Sequence, residues 1–199
     1  MSNTEPIVLK LQSVVLTREK QIVLQEELDR YADATNWVIK MTLKNHLTRP
    51  SKIIETLGDE FSERFDKRSE YCTDVVRTAC SEIARHRRLS RTIRSMREKT
   101  PFFKRDRAIY SQPLVKLSDR AITLILCDRT ELPIPFDKFS RNKTVEEIAR
   151  ILKGEPTKVG PDGKMPLNQR YDRVRLTWNR EGFLGIDIRA NLPYESTPT

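Results

Sequence analysis

The residues that most enzyme chemistry draws on are scarce in this chain. Its 199 residues include three cysteines, two histidines and six glycines, with aromatics at 7%. Cys72, Cys80 and Cys127 form no Cys-x-x-Cys pair, and three thiols cannot build a disulfide framework, which fits a reducing interior. Cys72 and Cys80 lie eight apart on an expected helix. Without two further ligands nearby they read as buried small side chains, not a zinc site. His46 falls near a helix end and His86 inside a run of arginines, and both read as surface residues. No Gly-x-Ser-x-Gly, P-loop or Gly-x-Gly-x-x-Gly motif occurs, and Gly154, Gly160 and Gly163 are too sparse and irregular to cradle a phosphate. No stretch approaches the roughly 18–20 apolar residues that a membrane-spanning helix needs. The opening MSNTEPIVLK has neither the basic nor the apolar part of a secretory leader. Together these absences predict a cytoplasmic protein that uses no cofactor or metal and no membrane.

Positive charge is what the chain has in excess. Lys and Arg number 37 against 28 Asp and Glu, a formal net charge of +9. Ten cations are packed between Arg85 and Arg107: Arg85, Arg87, Arg88, Arg91, Arg94, Arg97, Lys99, Lys104, Arg105 and Arg107. Only Glu98 and Asp106 oppose them, so these 23 residues carry +8 and the other 176 carry +1. Such a block focuses potential and attracts polyanions. Its preference for arginine suits phosphate contact, because the planar guanidinium offers a fork of donors where an ammonium offers a point charge.

Spacing predicts how the block is displayed. Leu89, Ile93 and Met96 fall at i, i+4 and i+7, one helical stripe, while Arg87, Arg88, Arg91 and Arg94 project from the opposite arc. An ordinary solvated face would carry neutralising acids, and these are missing, so nucleic acid is the favoured partner. A membrane-surface or calmodulin-type helix would need a wider apolar edge with an aromatic residue. Phe102 and Phe103 stand beside Lys104 and Arg105, an arrangement in which a ring stacks on a base while cations hold the backbone. One ring is expected inside and one available. Tyr110 and Trp178 are weaker stacking candidates.

Along the chain, residues 6–16 read as a strand. Thr17 is placed to cap a long helix with Leu24, Leu28, Tyr31, Thr35 and Val38 on one face, continued by Ile39 and Leu43, and Arg49-Pro50-Ser51 interrupts it. A second helix is predicted from about Lys52 to Phe65, and a third from about Ser69 through the arginine block to Thr100-Pro101. Strands follow over 121–126 and 132–136, the second an edge strand because Pro133 and Pro135 cannot donate to a ladder. A short helix is predicted over 143–153 with Gly154 as its cap, then a Gly- and Pro-rich loop to Pro166. A hairpin of 173–178 and 183–192 turns through Asn179–Gly182, and a polar tail occupies 194–199. A lone first strand is most stable if it joins the later ones. The expected fold is therefore α+β: a small barrel lobe from 1–16 and 101–193, with a helical lobe of 17–100 inserted after the first strand.

This order, together with particular residues, resembles the front part of the TnpB (OrfB) family of transposon-encoded RNA-guided nucleases. The pieces are the strand into Thr17-Arg-Glu-Lys20, the helix with Tyr31-Ala-Asp-Ala-Thr-Asn-Trp37, the stretch Pro101-Phe-Phe-Lys-Arg105, and the strand from Phe183 to Pro193. The resemblance covers nearly the whole chain through loose motifs. It implies a wedge-type, OB-like β-barrel carrying a recognition-type helical lobe, both gripping guide RNA and the guide–target duplex. The family's RuvC-like nuclease domain, with its metal-binding carboxylates, has no counterpart here. Gly185-Ile-Asp187 resembles the start of such a domain, but Leu184, Ile186, Ile188, Ala190 and Leu192 alternate with polar residues as a half-buried strand does.

The expected function is thus a non-catalytic RNA-binding protein in a ribonucleoprotein such as the ribosome. Its partners would be structured RNA (ribosomal or guide-like), DNA through a guide duplex, and neighbouring proteins of the particle. Two alternatives remain at this point: the guide-RNA-binding part of a split nuclease or transposon regulator, and a module docking an acidic protein.

Overall fold

The computed structural model describes residues 4–153, 171–179 and 181–193. The loop expected over 154–166, the cap at Gly154, the polar tail and Arg180 of the hairpin turn lie outside them. The chain divides into two compact units, one of Ile22–Ile109 and one of the segments before and after it.

The inserted unit is helical. Helix α1 (Arg18–Lys44) opens in the other unit and runs on into this one. Leu24, Leu28, Tyr31, Thr35, Val38 and Ile39 are buried as the 3.6-residue spacing requires. Helix α2 (Pro50–Arg64) starts on Pro50, where a missing N–H costs nothing, and buries Ile53, Leu57 and Phe61. Helix α3 (Ser69–Thr92) buries Tyr71, Val75, Val76, Ala79 and Ile83. Aromatic rings hold the centre: Tyr31 meets Tyr71 edge-on at 5.7 Å and Phe103 at 5.8 Å. Phe61 lies 5.4 Å from Phe65 and 6.3 Å from Trp37. The Tyr31 hydroxyl donates to the Ile109 carbonyl at 2.7 Å and pairs with Thr78 Oγ1 at 2.8 Å, satisfying a polar atom that burial would otherwise penalise.

The third helix is shorter than its sequence pattern predicts. It ends at Thr92, Ile93 is extended, and a single 3₁₀ turn (Arg94–Met96) follows. Thr92 and Ile93 are consecutive β-branched residues, weak helix formers, and the freed carbonyls are taken locally. Ile93 N–H donates to Leu89 O at 2.8 Å, Ser90 Oγ to Arg87 O at 3.0 Å, and Arg97 Nε to Ser90 O at 3.1 Å. The expected inward stripe of Leu89, Ile93 and Met96 therefore does not form, and Ile93 is exposed.

The other unit holds two sheets. β1 (Thr4–Gln12), β7 (Leu184–Pro193) and β6 (Tyr171–Trp178) lie in that spatial order, while the strand β2 (Arg107–Tyr110) falls mostly within the residues of the helical unit. β1 runs antiparallel to β7 from Thr4 opposite Pro193 to Gln12 opposite Gly185. β6 is antiparallel to β7 on its other side, with a register shift between Tyr171 and Arg173. Leu184, Ile186, Ile188 and Ala190 are buried together with Leu9, Leu11, Val174 and Leu176. In the turn joining β6 to β7, Gly182 has φ +91° and a Cβ there would sit 2.9 Å from Gln21 Nε2, so glycine is required. The second sheet has the order β3-β4-β5, from β3 (Val115–Leu117), β4 (Ala121–Ile125) and β5 (Glu131–Pro135). Helices α4 (Lys138–Lys143) and α5 (Val145–Leu152) follow where one helix is predicted from sequence.

The expected β-barrel is not present: the two sheets stay open. Closure needs an unbroken ladder around the ring, and the backbone pairing seen between the sheets among the described residues is one isolated bridge of Ser13 with Phe136, beside a side-chain hydrogen bond from the Tyr171 hydroxyl to Val115 O at 2.9 Å. β5 cannot extend that ladder because Pro133 and Pro135 have no N–H to give. Of their carbonyls, Pro133 O accepts from Lys20 Nζ at 2.8 Å, and Pro135 O accepts from Val14 N at 3.0 Å as one of the two hydrogen bonds of that bridge.

Candidate nucleic-acid interface

The basic block begins on the last turns of α3 and continues through the 3₁₀ turn and an irregular stretch to β2. Arg85, Arg87, Arg88, Arg91, Arg94, Arg97, Lys99, Lys104 and Arg105 are exposed, and Arg107 is half-buried. Three of these ten guanidinium and ammonium groups are neutralised by the protein's own acids. Glu82, just ahead of the block, takes Arg85 at 2.7 Å and Arg107 at 3.4 Å. Asp33 on α1 takes Arg105 at 2.7 Å. Among the described residues no carboxylate lies within ion-pair distance of Arg87, Arg88, Arg91, Arg94, Arg97, Lys99 or Lys104. The negative end of the helix macrodipole offsets part of the charge on Arg91, but that effect fades within one turn. Arg87 and Arg88 lie further back, and Arg94 lies beyond the helix.

The two phenylalanines separate completely. Phe103 is 0% exposed, packed against Tyr31 and covered by the Arg107 guanidinium 4.9 Å from its ring centre. It therefore leaves the set of groups that can meet a base. Arg107 leaves with it, being committed to Glu82 and to that ring. Phe102 is 61% exposed. Tyr110 is buried and offers no free ring face, and Trp178 is half-buried. His86, expected at the surface, is half-buried, with Nε2 shielded and lacking a hydrogen-bond partner among the described residues.

A second cationic surface escapes a linear reading. On the outer face of the β1-β7-β6 sheet, Val8 stands opposite Arg189 and Arg189 opposite Arg173. In the next rank Lys10 stands opposite Asp187 and Asp187 opposite Arg175. Four cations thus surround one carboxylate. Arg173 facing Arg189 directly is a like-charge pair, which destabilises a sheet. Lys10 is more than 160 residues from the arginines in sequence, so no local charge run betrays the patch. The available signal was the polar phase of each strand once the strands are paired. Asp187, flanked by cations on both neighbouring strands, is a member of this face and not of a carboxylate cluster.

Elsewhere, interior carboxylates are committed. Glu27 pairs with Arg30 at 3.3 Å, and Asp66 with Arg68 at 2.6 Å. Burial alone would lower the Arg68 guanidinium, but the hydrogen bond and charge of Asp66 hold it above its ordinary value. Burial also pushes the Cys72 thiol up to about 11, and raises Cys80. Among the described residues no group of three or more His, Cys, Asp or Glu is placed to hold a metal ion. No helix among them is long and apolar enough to cross a membrane. Comparison with known proteins finds no matching family model and no matching curated protein.

Proposed function

We propose that this chain is a non-catalytic RNA-binding protein of the cytoplasm, working as a component of a ribonucleoprotein such as the ribosome. The observation that carries this reading is the display of Arg87, Arg88, Arg91 and Arg94 in solvent with no carboxylate partner among the described residues. Guanidinium groups held next to one another repel, and a phosphate backbone relieves that repulsion while releasing its counterions. Contacts of this kind read shape and backbone, so the ligand is structured RNA bound with little sequence preference. The loose TnpB-like motifs give the reading its proposed ancestry.

The test is purification from native cells followed by sequencing of the RNA that co-purifies. Ribosomal RNA supports the reading as stated. A short guide-like transcript redirects it to the partner of a separate nuclease chain. Capture of acidic proteins without RNA overturns it.

A further inference from the structure

Phe102 is an exposed aromatic ring within the basic block, 61% accessible and outside any helix or strand. The next residue, Phe103, is held at several points. Its N–H donates to Asn36 Oδ1 at 2.8 Å, and its carbonyl accepts from Asn36 Nδ2 at 3.0 Å. One side-chain amide on α1 therefore satisfies both backbone groups, as a neighbouring strand would. The Phe103 ring is at the same time locked between Tyr31 and Arg107, at 5.8 and 4.9 Å. With Phe103 pointing inward, Phe102 and Lys104 on either side of it are exposed. The backbone that follows Phe102 is thus ordered by folding, which lowers the cost of ordering on binding.

We propose that Phe102 is a stacking platform for one unpaired nucleotide, with the exposed Lys104, two residues after it, and Lys99, three before it, serving the flanking phosphates. The ligand class that follows is a paired RNA stem carrying an unpaired base, either a bulge or a single-stranded overhang. This rests on the RNA-binding reading above. Within a continuous A-form stem the base faces are covered by their neighbours and the deep groove is closed to side chains. A ring meeting only such a stem would gain nothing. An unpaired base offers a free π-face, and the cations beside the ring hold its backbone. Arg105 contributes less, because Asp33 already pairs with it at 2.7 Å.

The test uses the full chain and two RNA hairpins, each closed by the same non-nucleotide glycol linker so that neither has loop bases: one fully paired, and one identical but for a single bulged 2-aminopurine. The wild-type protein should bind the bulged hairpin about tenfold more tightly, the scale of one base–aromatic stack, and should quench the probe. Phe102→Ala should abolish both the preference and the quenching while leaving affinity for the paired hairpin unchanged. Phe102→Trp should keep both. Phe102→Leu, which retains apolar bulk without a π-face, should behave as the alanine variant. Equal wild-type affinity for the two hairpins would refute the platform and leave the RNA-binding reading standing. Retained preference in Phe102→Leu would show apolar packing instead of stacking and would likewise refute it. Failure of the wild-type protein to bind either hairpin would remove both proposals together.

Discussion

The two units display positive charge by different constructions. In the helical unit the cations are neighbours in sequence: Arg87, Arg88 and Arg91 lie on two turns of α3, and Arg94 follows at once. In the other unit Lys10, Arg173, Arg175 and Arg189 come from three strands and meet only through the register of β1, β7 and β6. The first patch is a property of a segment and the second a property of a fold. Among the described residues no carboxylate pairs with Arg87, Arg88, Arg91 or Arg94, and Glu82 and Asp33 pair at the fringe with Arg85, Arg107 and Arg105. The sheet patch has Asp187 at its centre. A polyanion should therefore bind the helical patch more strongly than the sheet patch.

Reversing charge at Arg87, Arg91 and Arg94 to Glu is the largest expected perturbation. RNA affinity should fall about a hundredfold near 0.1 M salt, and each lost phosphate contact should remove about 0.7–0.9 from the slope of log K against log salt. A fluorescence anisotropy series across salt concentrations measures both, and an unchanged slope would show that α3 is not the binding surface. The same reversal at Arg173, Arg175 and Arg189 should cost about tenfold, with a smaller change of slope. A loss equal to that of the helical variant would erase the ranking of the two patches. Asp187→Asn sharpens the comparison from the other side. Removing the central negative charge should raise affinity about twofold, whereas a loss of binding would mean that the carboxylate itself contacts the ligand.

The smallest effect contrasts one thiol in each unit. Cys127, exposed between β4 and β5, should react first with a thiol reagent at neutral pH, and Cys72, buried in α3, last. Burial raises Cys72 from 9.0 to about 11, so its contribution to stability is complete below about pH 9 and lost as pH rises through about 11. Melting curves at pH 8 and pH 11 for wild type and Cys72→Ala should differ in their pH dependence by that contribution.

Periodicity made the helical unit largely legible. The buried face of α1 follows from five spaced residues, Leu24 to Val38, because one helix carries its pattern without help from elsewhere. The break at Arg49-Pro50 and the alternation in β7 were readable for the same reason. The end of α3 was not, since Leu89, Ile93 and Met96 continue a helical spacing past the point where two β-branched residues stop the helix. Closure of the sheets was misread because strand count and order say nothing about whether the edge strands can still donate. In β5 the two prolines marked an edge correctly, yet that same feature blocks a barrel. At the interface, exposure of Phe102 and burial of Phe103 could not be assigned ring by ring from a Phe-Phe pair. The choice is made by Asn36, 67 residues away, which fixes the backbone at Phe103.

The pairing of β1 with β7 carries a consequence for how the molecule comes into being. Ser13 and Leu184 exchange hydrogen bonds across 171 positions of chain, so the first strand has no lasting partner until β7 has been synthesised. The helical insert needs no such wait, because α1 to α3 and the Phe103 segment are all complete by Ile109. On a translating ribosome the helical insert can mature first. The apolar face of β1, with Leu9 and Leu11, meanwhile lacks its β7 neighbour until that strand emerges.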